Sequence, residues 1–316
     1  MTATITAPQL PQWGDHPSDL VRCREPTYRT DLGAAYSGDS LDLLGSLPDA
    51  SINLVITSPP YALHFKKEYG NVDKRDYVEW MFPFAREIKR VLKEDGSFIL
   101  NIGGSYNQGS PTRSLYHFKL LIALCEEIEF SLAQECFWYN PAKLPAPAEW
   151  VNVRRARIKD SVEYVWWLAP TPWPAADNRR VLVPYSGDMI RLIARGYRSK
   201  KRPSGHNITA KFRKNQGGAI PPNLIIKGNN ESNSDYIKAC GDLGVKPHPA
   251  RFPSALPEFF IKLLSNPGDI VLDPFAGSNT TGRVSETLDR RWIAVDLENA
   301  YVRASAIRFG LDPRTL

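Results

Sequence analysis

The chain has 316 residues, 42% of them hydrophobic, and a formal net charge of +6 at pH 7, so it is long enough to bury a large core. No stretch approaches the uninterrupted apolar length of a membrane helix, and the N-terminal sequence MTATITAPQLPQWGDHPSDL lacks the features of an export signal, so a cytoplasmic protein is expected. The four cysteines form no C-x-x-C pair and the histidines show no ligand spacing, which argues against a disulfide framework and a metal site.

Strand and helix patterns alternate along most of the chain, after a Pro-rich and aperiodic N-terminal arm over residues 1–22. Apolar segments bounded by turn residues predict seven strands, over 34–39, 52–57, 97–103, 131–140, 161–169, 270–273 and 290–296. Helical periodicity predicts helices over 40–48, 76–94, 112–129, 253–269, 278–289 and 298–310. Ser40 and Ser278 are expected to begin two of these helices and Gly96 to end another. The alternation predicts a doubly wound, mostly parallel α/β sheet.

Positive charge is concentrated in one part of the chain. Residues 141–230 hold 17 Lys and Arg against 5 Asp and Glu, a net charge of +12, whereas the rest of the chain is net negative. Within this part, cations alternate with aromatic, glycine and polar residues, as in a surface that contacts phosphates. A solvated basic face remains the alternative. The cations expected to contact phosphates are Arg198, Lys200, Lys201, Arg202, Lys211, Arg213 and Lys214.

The stretch VLDPFAGSNTTG, residues 271–282, has the pattern of a nucleotide-binding loop. An apolar strand ends at Asp273, a turn with Gly277 follows, and a helix begins, so the backbone can approach a ligand below the helix N-terminus. Asp296 ends the next strand, where an acid can accept hydrogen bonds from ribose hydroxyls. The loop is not G-x-G-x-x-G and has no P-loop lysine, which disfavours redox chemistry and nucleotide hydrolysis. A capped strand-turn-helix with a surface acid is the alternative.

The stretch NLVITSPPYAL, residues 53–63, ends a buried strand with Ser58, Pro59, Pro60 and Tyr61. The prolines fix φ and have no N–H donor, so they can hold neighbouring carbonyl groups in place. The sequence G-x-S-x-G is absent, and Pro59 offers no backbone N–H for an oxyanion hole, which argues against a serine hydrolase. A strand followed by a Pro-rich turn is the alternative for this stretch alone.

Together these two stretches resemble the motifs of a known enzyme family. DPFAGSNTTG resembles motif I and SPPY resembles motif IV of DNA amino-methyltransferases, in the permuted beta order that has motif IV first. The stretch KPHPARFPSALPEFFIKLLSNPGD resembles motif X, and residues 152–189 resemble the region leading into target recognition in N4-cytosine enzymes. The resemblance spans nearly the whole chain. It implies a seven-stranded, Rossmann-like methyltransferase fold with S-adenosyl-L-methionine as cofactor and double-stranded DNA as substrate.

The resemblance also divides the chain and assigns its site. It implies a catalytic part over 23–170, a basic target-recognition region over 171–244 and a cofactor-binding part over 245–316. Ser58 and the Pro59 carbonyl would accept the hydrogens of an exocyclic amine, beside Pro60, while Tyr61 would stack on a base flipped out of the duplex. Trp138 and Asn140 could line the base pocket, with core packing as the alternative for Trp138. The residues implied to bind the cofactor are Asp39, Ser40, His248, Pro249, Arg251, Phe252, Pro253, Asp273, Phe275, Gly277, Ser278, Asn279, Thr280 and Asp296.

Serine in place of aspartate in SPPY favours, by the same resemblance, cytosine N4 over adenine N6 as the methylated atom. The expected protein is therefore a site-specific methyltransferase of a prokaryotic restriction-modification system, acting in the cytoplasm beside a cognate endonuclease. Three alternatives stay open from the sequence: an adenine-N6 DNA methyltransferase, an RNA methyltransferase and a non-catalytic DNA-binding protein.

Overall fold

The computed structural model describes residues 15–62, 72–195, 214–229 and 235–316. Within these ranges nine strands form one sheet, in the order β1-β2-β9-β8-β3-β4-β6-β5-β7. The strands are β1 (Tyr28–Arg29), β2 (Gly33–Ser37), β3 (Ile52–Thr57), β4 (Leu92–Ile102), β5 (Ser131–Tyr139), β6 (Val162–Ala169), β7 (Leu224–Ile226), β8 (Ile270–Asp273) and β9 (Arg291–Asp296).

The predicted doubly wound, mostly parallel sheet is confirmed, but the predicted number of seven strands is wrong. Strands β2, β9, β8, β3 and β4 pair in parallel, whereas β6 runs antiparallel to both β4 and β5. The two additional strands, β1 and β7, lie at the two edges and have two and three residues. Strands of two or three residues contain only one period of alternation, which is too little to be recognised in a sequence.

Helices cover both faces of the sheet. They are α1 (Ser40–Ser46), α2 (Tyr77–Val91), α3 (Tyr116–Glu126), α4 (Gly187–Arg195), α5 (Asp235–Leu243), α6 (Ala255–Leu264), α7 (Thr280–Thr287) and α8 (Asn299–Ser305). Successive residues of a strand point to opposite faces. Accordingly Val55 packs in one core cluster with α1, α2 and α3, whereas Leu54 and Ile56 pack in another with α6 and α7.

Helix α1 begins at Ser40, as predicted, and Asp39 caps it, because its carboxylate accepts the Leu41 N–H at 2.8 Å. The predicted helix end at Gly96 is wrong. Helix α2 ends at Val91 and runs directly into β4, so Gly96 lies within that strand. A Cβ at Gly96 would lie 2.9 Å from a backbone oxygen. This crowding, and not the end of a helix, explains why glycine occupies the position.

Helix α7 is capped by Asn279, not by Ser278. Asn279 adopts the left-handed conformation with φ of 52°, and its side-chain oxygen accepts the Gly282 N–H at 3.0 Å. Its side-chain amide donates to the Tyr28 hydroxyl at 3.0 Å, which ties the start of α7 to edge strand β1. Asparagine tolerates the left-handed region better than most residues, so it can serve both roles.

Part of the predicted N-terminal arm packs against the sheet. Residues 1–14 of the arm lie outside the described residues, but Pro17–Leu20 form a 3-10 turn and Val21 is buried in the main core. The Arg291 guanidinium donates to the Asp15 carbonyl at 2.9 Å. The prediction of a loose arm is therefore wrong for residues 15–22.

Strand order reverses between β3 and β8. From β3 the chain crosses through α2 to β4 on one side, and from β8 it crosses through α7 to β9 on the other. In open α/β sheets ligands bind outside the carboxyl ends of the strands at such a reversal. The strands that end at Thr57 and Asp273 therefore mark where a ligand cleft is expected.

Among the described residues, no helix is both long and apolar enough to cross a bilayer.

Helix α3 offers a stability test with its own control. Leu120 is fully buried, whereas Ile122 on the same helix is 54% exposed. We expect Leu120→Ala to lower the free energy of unfolding by about 2–5 kcal/mol, because it removes buried methyl groups and leaves a cavity. Ile122→Ala should change it by less than about 0.5 kcal/mol. Urea unfolding followed by circular dichroism measures both, and equal effects would mean that α3 does not pack as described.

Candidate active site

A cleft of about 640 Å³ opens at the carboxyl ends of the central strands. Its volume lies within the range of sites that hold small-molecule ligands. Segments from both ends of the chain line it, including the loops after β2, β3, β8 and β9. The strand reversal and the cleft coincide, as the topology requires.

Most of the predicted site residues lie around this one cleft. The residues on its wall are Asp39, Ser40, Ser58, Pro59, Pro60, Tyr61, Trp138, Asn140, His248, Pro249, Arg251, Phe252, Phe275, Gly277, Ser278, Thr280 and Asp296. Three predicted cofactor residues, Pro253, Asp273 and Asn279, are absent from that wall. Of the predicted phosphate-binding cations, Lys214 is exposed outside the cleft, and the other six lie outside the described residues.

Asp273 lies behind the cleft, where it joins two strands. Its side chain is 2% exposed and accepts hydrogen bonds from the Thr57 and Thr281 hydroxyls, each at 2.7 Å, and from the Phe275 N–H at 3.1 Å. Burial raises its pKa from 3.8 to about 6, although these hydrogen bonds act in the opposite direction. This carboxyl therefore holds β3, β8 and the start of α7 together and does not face the cleft.

The glycine-loop side of the cleft, the predicted cofactor side, is built largely from backbone groups. The Gly277 N–H donates to Asp296 Oδ2 at 2.8 Å, and the Glu298 N–H donates to Oδ1 at 3.1 Å. These bonds orient the Asp296 carboxylate at the end of β9. Gly277 has φ of 52°, and a Cβ there would lie 3.0 Å from the His248 imidazole. Glycine is needed because both its conformation and its close neighbour disfavour a side chain.

Below the glycine loop, Arg308 fixes the start of α7. Its guanidinium donates to the Ser278 carbonyl at 2.7 Å and to the Ser278 hydroxyl at 3.1 Å. Within the same loop, Phe275 packs against Trp80 and Phe84, with ring centroids 5.8 Å and 5.0 Å away. The loop is therefore held both by the Arg308 cation and by aromatic rings.

The SPPY side of the cleft, the predicted catalytic side, is built from side chains that bond to one another. Ser58 Oγ lies 3.0 Å from Tyr61 Oη, and Asn101 Nδ2 donates to Tyr61 at 2.8 Å and to Ser58 at 3.3 Å. The Tyr77 hydroxyl donates to the Pro60 carbonyl at 2.9 Å, which fixes the Pro-Pro turn. The Tyr61 ring packs on Gly103, where an added Cβ would lie 2.6 Å from the ring.

Sequence reasoning missed three polar residues of this wall: Asn101, Lys143 and Glu163. Tyr61 Oη donates to Glu163 Oε2 at 2.9 Å, and Lys143 Nζ lies 3.0 Å from Glu163 Oε1. A signal was available for two of them. Asn101 is the one polar residue within FILNI at a strand's carboxyl end, and Glu163 is the one charge within VEYVWWLA. A polar side chain in a buried strand usually has a hydrogen-bond partner, and both Asn101 and Glu163 bond to the Tyr61 hydroxyl.

Trp138 and Asn140 lie at the end of β5 beside this wall. Trp138 is only 4% exposed, and its indole N–H donates to the Lys227 carbonyl at 2.8 Å. The Asn140 side-chain oxygen accepts the Ala142 N–H at 3.0 Å. Two residues after Lys227, the Asn229 side-chain amide donates to the Arg251 carbonyl at 2.6 Å. Trp138 therefore combines a core position with an edge on the cleft, and segment 227–229 connects the two walls.

Comparison with known proteins identifies the family. The family model N6_N4_Mtase, described as DNA methylase, matches residues 52–307. The chain belongs to this family. The family predicted from the SPPY and DPFAGSNTTG stretches is thereby confirmed, and with it an enzyme that methylates DNA.

Relatives and solved structures agree with this assignment. The type II methyltransferase M.PvuII of Proteus hauseri is 51% identical over 289 residues, covering 90% of this chain and 86% of that protein. The solved structure of the PvuII DNA methyltransferase, described as cytosine-N4-specific, has a TM-score of 0.75 and 44% identity over 92% of both chains. TTHA0409 of Thermus thermophilus, solved in complex with S-adenosyl-L-methionine, shares the fold, with a TM-score of 0.54, 21% identity, and coverage of 87% of this chain and 92% of that one.

The buried carboxyl of Asp273 predicts a characteristic pH dependence of stability. Because the folded state binds its proton more tightly than the unfolded chain, its contribution to stability is complete below about pH 4 and is lost as the pH rises through about 6. Relative to Asp273→Asn, the native free energy of unfolding should fall by about 3 kcal/mol over that interval. Urea unfolding of both proteins between pH 4 and pH 7 measures the two free energies. A native protein that gained stability relative to Asp273→Asn as the pH rose would contradict the prediction.

Proposed function

We propose that this protein transfers the methyl group of S-adenosyl-L-methionine to the exocyclic N4 amine of a cytosine flipped out of double-stranded DNA. The observation that carries the proposal is the single cleft that contains both the SPPY residues and the glycine loop. Family membership supports DNA as substrate. The 51% identity to M.PvuII and the 44% identity to a cytosine-N4-specific structure support cytosine over adenine.

The residues on the cofactor side fit S-adenosyl-L-methionine. Asp39 and Asp296 offer carboxylates for the adenine amine and the ribose hydroxyls, and Arg251 offers a cation for the methionine carboxylate. Phe275 provides an aromatic wall. The close backbone turn at Gly277 leaves room where a side chain would collide. When bound, this cofactor supplies a methyl group on a positively charged sulfur.

The residues on the catalytic side would orient the amine. The lone pair of the cytosine amine is delocalised into the ring, so its hydrogens must be held by acceptors while the nitrogen faces the methyl group. Ser58 Oγ and the Pro59 carbonyl are such acceptors, and the Ser58 side chain is fixed by Asn101 and Tyr61. Most of the acceleration would then come from orientation and a fixed polar environment.

Target recognition and biological context form a further part of the proposal. We assign recognition of a short DNA sequence to residues 171–244, whose described part includes β7 at the sheet edge and the exposed helix α4. Arg and Lys side chains of this region would contact phosphates and base edges. A cognate restriction endonuclease is the expected functional partner, since the relative M.PvuII is a type II methyltransferase.

The decisive experiment identifies the product. Purified protein is incubated with unmodified duplex DNA of diverse sequence and S-adenosyl-L-methionine, and the DNA is then digested to nucleosides for mass spectrometry. We expect N4-methylcytosine. N6-methyladenine would keep the cofactor and the cleft but overturn the base assignment, and methylation of RNA alone would overturn the substrate.

Ser58 is expected to act on turnover more than on binding. Ser58→Ala should lower kcat on the order of a hundredfold, because it removes an acceptor that orients the amine, and should leave the Kd for S-adenosyl-L-methionine within about twofold. Ser131→Ala, at the start of β5, is the matched control and should change neither. Steady-state methylation and calorimetric titration measure the two quantities, and an equal loss of both would place Ser58 in cofactor binding.

A further inference from the structure

A continuous chain of hydrogen bonds leads from the SPPY serine to a carboxylate. Ser58 Oγ lies 3.0 Å from Tyr61 Oη, which lies 2.9 Å from Glu163 Oε2. All three residues line the cleft, and the Glu163 side chain is only 15% exposed. The three come from two strand ends, β3 and β6, on either side of β4.

The chemistry of the groups fixes the direction of these bonds. An ionised carboxylate can only accept, so the single Tyr61 hydroxyl hydrogen is donated to Glu163. The tyrosine oxygen must then accept the Ser58 hydroxyl hydrogen, and Asn101 Nδ2 donates to the oxygens of both hydroxyls. Ser58 Oγ therefore faces the cleft as an acceptor, and every hydrogen along the chain points towards Glu163.

Methylation of an amine releases a proton that must leave the site. We propose that Glu163 is the final acceptor of this proton, which reaches it through Ser58 and Tyr61. The inference rests on the proposed function, because it assigns a route for the proton of that reaction.

The step balances in atoms and charge. The N4 lone pair forms the bond to the methyl carbon while the carbon–sulfur bond breaks and its electron pair stays on sulfur. N4 then carries a positive charge and gives one hydrogen to Ser58 Oγ as Ser58 gives its own to Tyr61 and Tyr61 gives its own to Glu163. The products are a neutral methylated base, a neutral thioether and a protonated Glu163. The positive charge of the sulfonium and the negative charge of the carboxylate have cancelled.

The surroundings of Glu163 suit this role. Lys143 Nζ lies 3.0 Å from its other oxygen, so a cation faces the carboxylate. Burial and Glu163 itself raise the pKa of Tyr61 well above its usual value, so tyrosine relays a proton without storing a charge. The Asn101 amide cannot take up a proton at neutral pH. A methylated exocyclic ammonium is a strong acid, so it readily gives a proton to a carboxylate.

The other carboxylates on the described cleft wall are those of Asp39, Asp296 and Glu298, and they lie on the side of the glycine loop. Asp39 caps α1, and the Asp296 oxygens accept the N–H groups of Gly277 and Glu298. Within the described residues, no hydrogen bond connects any of these three carboxylates to Ser58. Glu163 is thus the carboxylate that the geometry connects to the reacting amine.

The test compares isosteric variants in a single turnover. Glu163→Gln keeps the shape and an acceptor for Tyr61 but removes the charge, and Tyr61→Phe keeps the ring but breaks the chain. Each should lower the rate constant of methyl transfer by about tenfold or more, and the double variant should be no slower than the slower single variant. The Kd values for S-adenosyl-L-methionine and DNA should stay within about twofold. Glu135→Gln, the same change at an exposed position of β5, should match the native rate.

Two further readouts separate proton transfer from a structural role. Formate should restore part of the rate to Glu163→Ala, because a small carboxylate can occupy the vacated space. Infrared difference spectra of a single turnover should show a new protonated carboxyl band in the native protein and not in Glu163→Gln. If Glu163→Gln methylated at the native rate and still showed the protonated carboxyl band, the role of Glu163 would be overturned, whereas the proposed function would stand. Absence of N4-methylcytosine with the native protein would instead overturn the proposed function.

Discussion

The hydrogen bond from the Thr57 hydroxyl to the Asp273 carboxylate joins two strands whose ends are 216 positions apart in the sequence. The same carboxylate accepts the Thr281 hydroxyl of α7, so one buried acid positions the SPPY turn, the glycine loop and a helix start relative to one another. Breaking a buried hydrogen bond of this kind leaves a polar group without compensation, which is costly in a dry core.

The two walls of the cleft are built by different means. The glycine loop uses backbone N–H groups and a left-handed turn, so its shape depends on conformation more than on which side chains are present. The SPPY wall depends on a network of hydroxyl, amide and carboxylate side chains around Ser58. A change of one atom matters more there, since each group donates to or accepts from its neighbours in one connected network.

The central elements could be predicted from the sequence, because each buried strand such as 52–57 has enough residues to show its apolar pattern. The edge strands could not, since Tyr28–Arg29 has only two residues. The sequence did not show which acid faces the cleft. Asp273 and Asp296 both end apolar strands, yet of these two only Asp296 lines the cleft. Which of two strand-end acids is buried depends on the hydroxyl groups that reach it, and those come from elsewhere in the chain. Asn101 and Glu163 were missed because their role appears only when β4 and β6 lie side by side.

The position of β8 in the sheet has a consequence for how the chain folds. This strand lies between β9 and β3, although most of the sheet precedes it in the sequence. During synthesis, β2 and β3 are complete long before the strands that separate them exist, so each keeps an unpaired edge for that period. Exposed edges of this kind invite pairing with other chains, and contacts between distant segments form slowly. The strands that close the sheet are therefore made after those that they join, and a nascent chain cannot assemble the cleft until β8, α7 and β9 have left the ribosome.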